Sequence, residues 1–143
     1  MSMVSLVKIK RGLLKKAILD SLELINYDFP FNARNIVIKP NMCYYWDYST
    51  GYTTDPKFVA SLIDVLREQI SPKVQIYIVE SDASAMKCKY AFKMLGYENL
   101  ARAYNVSLVN LSREKSVKVA TRVGDLSFSF MVPEIISKAD LKI

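Results

Sequence analysis

Val74-Gln-Ile-Tyr-Ile-Val79, closed by Glu80-Ser-Asp82, is the stretch that decides the fold. Its apolar, β-branched run is a strand pattern, and it ends abruptly in polar residues. Upstream lies a helix that begins at Thr54-Asp55-Pro56. Val59, Leu62, Ile63, Leu66 and Ile70 form its apolar stripe, and Pro72 falls just beyond its end. Further upstream, Asn35-Ile-Val-Ile-Lys39 is a second short strand, stopped by Pro40. Downstream, a helical pair spans residues 85–104 with Gly96 as the left-handed break, and Val106 to Leu111 reads as a third strand. Strands alternating with helices imply βαβ units: an α/β fold with an open, mostly parallel sheet and helices on both faces.

The ends of the chain fill in the rest. A first helix is expected over residues 11–25, with Leu14, Ile18, Leu22 and Ile25 on one stripe. Val117, Val119, Thr121 and Val123 alternate, as do Leu126, Phe128 and Phe130. Gly124-Asp125 between them suits a type II′ turn, so a C-terminal antiparallel hairpin is expected. A short helix over residues 132–139, started by Pro133, precedes a last strand at Asp140-Leu-Lys-Ile143. With 143 residues and no linker or repeat, residues 1–143 read as a single domain.

Composition excludes several chemistries. The chain has no histidine, which removes a Ser-His-Asp triad, a Cys-His dyad and a His-ligated zinc. Two cysteines, Cys43 and Cys88, cannot supply the four thiolates of an iron–sulfur cluster, and free thiols are their expected state. Both follow strands, so a shared metal or a redox disulfide is a further, weaker reading. No apolar run is long enough for a membrane span, and the start has no signal-peptide pattern, so a cytoplasmic location is expected. No glycine-rich phosphate loop is present.

The formal net charge is +6, and Lys8, Lys10, Arg11, Lys15 and Lys16 precede the first acid, Asp20. The bland account of these cations is a solvated helix face. Binding of nucleic acid through them is expected to be weak and non-specific, because no base-reading motif accompanies them. The segment from Asn41 to Asp55 is long and aromatic, with Tyr44, Tyr45, Trp46, Tyr48 and Tyr52. It offers a surface for a partner, for stacked bases, or for a second copy of the chain.

In an open parallel sheet, ligands bind beyond the carboxyl ends of the strands. The candidate binding residues there are Lys39, Asn41, Thr54, Asp55, Glu80 and Asp82. Glu80 ends an apolar run, so its carboxylate needs a partner, and Lys39 is available if the two strands are neighbours. Such a pair serves either as an acid–base device or as a structural ion pair. Glu80 and Asp82 alternate along an extended chain and, with Asp55, offer oxygens to a hard cation. Thr54 and Asp55 are equally accounted for as helix caps, and Asn41 as a turn residue. No catalytic residue is assignable. The leading expectation is a small molecule or metal at the carboxyl edge, and the alternative is a non-enzymatic module for nucleic acid or protein.

Six segments carry a resemblance in order and spacing: Ile36-Val-Ile-Lys-Pro-Asn41, Gly51-Tyr-Thr-Thr-Asp-Pro56, Val79-Glu-Ser-Asp82, Ala91-Phe-Lys-Met-Leu-Gly-Tyr97, Val106-Ser-Leu-Val-Asn-Leu111, and Val132-Pro-Glu-Ile-Ile136 with Ala139-Asp140. Together they resemble the domain of unknown function 362 family from about residue 4 to 143. The resemblance points to Lys39, Asn41, Thr54, Asp55, Glu80 and Asp140. Many members of that family carry ferredoxin-like cysteines, which are lacking here, so no iron–sulfur cluster is expected and the cofactor stays open. Members also continue into a second half with a Lys-x-His-type motif, so the resemblance implies a short form or an amino-terminal half. A strand beginning at Asp140 would then leave an uncovered edge, and a homodimer is expected to cover it.

Overall fold

A computed structural model describes residues 2–143. Four parallel strands form one sheet in the order β3-β2-β1-β6: β1 (Asn35–Ile38), β2 (Gln75–Glu80), β3 (Ser107–Asn110) and β6 (Leu141–Lys142). The register sets Ile36 beside Ile76 and Ile38 beside Ile78. Because successive side chains point to opposite faces, Ile36, Ile38, Ile76 and Ile78 enter the larger core, while Val37 and Val79 enter the smaller one.

The larger core lies under α1 (Leu14–Glu23), α2 (Pro56–Gln69), α3 (Cys88–Met94) and α4 (Tyr97–Tyr104). Each buried Val, Leu or Ile side chain there contributes roughly 1.5–3 kcal/mol. The opposite face is covered by α5 (Glu134–Lys138), whose Ile135 and Ile136 pack on Val37 and Val79. The antiparallel hairpin β4 (Ser116–Val123) and β5 (Leu126–Pro133) precedes α5. The expected α/β architecture, with helices on both faces and a hairpin near the C-terminus, is therefore the observed one.

Several boundaries differ from expectation for local reasons. The first helix starts at Leu14 because Gly12 takes a left-handed φ of +77°, and it ends at Glu23 ahead of Asn26, which has φ +50°. The first half of the helical pair starts at Cys88, since Ala83 and Met86 bond to each other in a turn. Gly96 is left-handed as expected. The last helix begins at Glu134 because the hairpin register holds Pro133 opposite Ser116. Gly124 has φ +58° and Asp125 does not take a positive φ, the sign pattern of a type II′ turn.

The strand anticipated at residues 140–143 pairs with β1, through Leu141 and Lys142. The pairing continues through Ile143, whose N–H donates to the Val37 carbonyl at 2.9 Å and whose carbonyl accepts the Lys39 N–H at 2.8 Å. Among the described residues, no helix is long and apolar enough to cross a membrane.

The strand order also positions a site. The chain leaves β1 toward β2 on one side, then returns to lay β6 on the other. β1 therefore flanks the place where the order turns, and Lys39 follows it directly.

Candidate functional site

Lys39 and Glu80 meet at the carboxyl ends of neighbouring strands. Lys39 Nζ donates to Glu80 Oε2 at 2.9 Å and to the Pro40 carbonyl at 3.2 Å. The Glu80 side chain is 7% exposed and that of Lys39 48%, so the carboxylate is interior and the ammonium faces the rim. Glu80 Oε1 accepts the Ser81 N–H at 2.7 Å. An ammonium has three donors, and the two bonds to Glu80 and Pro40 leave one free among the described residues.

Asn41 and Thr54 form a clasp that closes the aromatic segment. The Asn41 N–H donates to Thr54 Oγ1 at 2.9 Å, and the Thr54 N–H donates to the Asn41 carbonyl at 2.9 Å. The Asn41 side-chain amide donates to the Tyr52 carbonyl. Asp55 caps α2 by accepting the Lys57 N–H at 2.8 Å. The expected cap of α2 is Asp55 alone, because Thr54 Oγ1 is taken by the Asn41 N–H across the loop.

Asp82 turns the other way. It accepts the Cys88 N–H at 2.9 Å and the Asn110 amide at 3.1 Å, so it caps α3 from six residues upstream. The Cys88 N–H, helped by the Lys87 charge, holds its carboxyl below the usual range. Asp55, Glu80 and Asp82, anticipated together around a cation, do not converge: one oxygen each of Asp55 and Asp82 and both of Glu80 bond elsewhere, and no three His, Cys, Asp or Glu side chains come together among the described residues. Asp140 lies at the opposite, amino edge, where it accepts the N–H groups of Arg34 and Asn35 at 2.9 and 2.8 Å. It fastens the start of β1 and takes no part in the carboxyl edge.

Sequence reasoning missed Tyr97. Its ring is fully buried in the larger core, and its hydroxyl donates to the Thr54 carbonyl at 2.8 Å. Burial, then the charges of Asp55 and Glu80, push this phenol above its ordinary range. The only hint in the sequence was its place directly after Gly96. Thr53, which precedes Thr54 in the chain, is also buried, and its hydroxyl has no partner among the described residues.

Between the aromatic segment and the loop after β2 lies a crevice of ≈ 200 Å³. Its lining comprises Met42, Cys43, Tyr44 and Ala83 to Met86. The Lys87 N–H donates to Tyr45 Oη at 2.9 Å and ties the two walls together. Lys87 Nζ stands 3.7 Å from Asp82 Oδ2, too far for a hydrogen bond. A second groove of ≈ 250 Å³ between α1 and α2 includes Ile18, Phe58, Leu62 and Ile143, and no ionisable side chain lines it. On α1 itself, Lys15 is paired with Glu68 and Lys16 with Asp20, which neutralises part of the basic face.

Both cysteines are free, Cys43 half-buried and Cys88 buried. Burial, then the hydrogen bond and charge of Asp82 and the charge of Glu80, push the Cys88 thiol up to about 12. Native protein treated with a thiol reagent at pH 8 is expected to modify Cys43 alone, with Cys88 reacting only on unfolding. A raised thiol pKa adds stability that is complete below the ordinary value of 9.0 and is lost as pH rises toward 12. Cys88→Ala is accordingly expected to flatten the alkaline loss of melting temperature over that window. Equal native reactivity of both thiols would contradict the burial of Cys88.

A family model described as Domain of unknown function (DUF362) matches residues 36–143. No curated protein and no solved structure matches the chain.

Proposed function

This chain belongs to the Domain of unknown function (DUF362) family, and on that footing we propose that it binds a small organic carboxylate at the carboxyl edge of its sheet. The observation that carries this reading is the Lys39 ammonium. It is anchored to an interior Glu80, half exposed at the rim, and keeps one donor unused. A ligand carboxylate oxygen accepts that third N–H, and Lys87, held only loosely by Asp82, adds a second positive charge. The apolar part of the ligand enters the crevice lined by Met42, Cys43, Tyr44 and Met86. Asp55 at the α2 terminus disfavours a multiply charged anion such as a phosphate ester. Two free thiols are in keeping with a reducing, cytoplasmic setting.

The test is a hexanoate titration followed by the fluorescence of Trp46, the single tryptophan, which packs against Tyr44 with ring centroids 5.2 Å apart. A saturable change with Kd on the order of 1 mM is expected for a ligand of this size. Lys39→Met is expected to weaken it about tenfold, the effect of losing one charge-assisted hydrogen bond. No saturable change up to 100-fold above the millimolar range, or binding indifferent to Lys39→Met, would overturn the reading.

A further inference from the structure

We infer that the ligand is a flat aromatic carboxylate that stacks on Tyr44, an inference that rests on the carboxylate reading of the same edge. Tyr44 carries a backbone φ of +53°. Left-handed backbone is costly for any residue with a Cβ, and a bulky side chain there is an outlier that the surroundings must enforce. Here they do: the Trp46 N–H donates to the Cys43 carbonyl at 3.3 Å, and the adjacent Tyr45 hydroxyl accepts the Lys87 N–H. At this enforced turn Tyr44 lines the crevice.

Tyr44 is also the end of an aromatic row. Its ring centroid lies 5.2 Å from that of Trp46, and Trp46 lies 5.3 Å from Tyr52. These separations are those of interacting aromatic pairs. Tyr44 alone of the three lines the crevice. A flat ring entering there extends the row by one member.

The remaining lining suits the same guest. Met42 and Met86 are among the lining residues, and thioethers favour contact with aromatic rings. Ala83, Ser84 and Ala85 are small and leave room for a planar group. A volume of ≈ 200 Å³ falls below the usual range for drug-sized ligands, about 300–1,000 Å³, which limits the guest to a single ring.

Benzoate and cyclohexanecarboxylate separate planarity from charge, since they share the carboxylate and differ in the ring. Calorimetric titration of the intact protein is expected to give benzoate about a fivefold lower Kd, the scale of one aromatic pair. Tyr44→Asn removes the ring while tolerating left-handed backbone, and it is expected to bring the two Kd values together. A thermal melt of that variant checks that the fold is kept. Equal Kd values for the wild-type protein, or a benzoate preference that survives Tyr44→Asn, would overturn the stacking inference. If both acids bind equally and Lys39→Met weakens both, stacking alone falls and the carboxylate reading stands. If neither binds, both fall.

Discussion

Tyr97→Ala is expected to destabilise the protein by about 3–5 kcal/mol, the range for deleting a buried aromatic side chain. Tyr97 is the largest fully buried side chain and joins α4 to the core beneath α2. Its removal leaves a cavity that neighbours fixed by the sheet cannot refill. Against a domain stability of about 5–15 kcal/mol, this is a large share. Tyr97→Phe keeps the ring and deletes only the bond to the Thr54 carbonyl. Its expected cost is about 1 kcal/mol. Urea denaturation measures both. A phenylalanine variant as unstable as the alanine variant would show that the hydroxyl, rather than the packed ring, carries the stability.

Lys39→Met is the second large effect, expected at about 1–3 kcal/mol. Breaking a buried ion pair costs about 3–5 kcal/mol because one charge is stranded, and the half-exposed ammonium reduces that through solvent screening. The stranded group is Glu80, whose carboxylate retains only the Ser81 N–H. Glu80→Gln alone is expected to cost less, since the released Lys39 can turn to water. In the Lys39→Met background, Glu80→Gln is expected to restore stability. The sign of that coupling, read from a double-mutant cycle, is the check. Simple additivity of the two substitutions would show that the pair contributes nothing beyond its separate parts.

What the sequence makes legible follows from how local the signal is. β1 and β2 are runs of β-branched residues ended by Pro40 and by Glu80. α2 carries its own cap and N-terminal proline, and the hairpin carries Gly124-Asp125. Each is written within a few residues. The Lys39–Glu80 contact is also legible, because neighbouring parallel strands bring their carboxyl ends together. What Asp82 and Asp140 bond to is not legible, because acidic side chains near strand ends look alike in sequence: Asp82 accepts the Cys88 N–H and the Asn110 amide, and Asp140 accepts the N–H groups of Arg34 and Asn35. The contact between Tyr97 and Thr54 spans 43 positions, and no periodicity encodes it. The crevice is illegible for the same reason: Met42 and Met86 come together only once β1 and β2 are paired.

On the proposed reading a carboxylate meets Lys39 while its apolar part enters the crevice lined by Met42, Cys43, Tyr44 and Met86. Amide chemical-shift mapping during a hexanoate titration tests it most directly. Shifts concentrated at Lys39, Met42, Tyr44, Met86 and Lys87, saturating together and needing about tenfold more hexanoate in Lys39→Met, are the predicted result. Shifts spread over the basic residues Lys8, Lys10, Lys15 and Lys16, with the carboxyl edge unmoved, would contradict it.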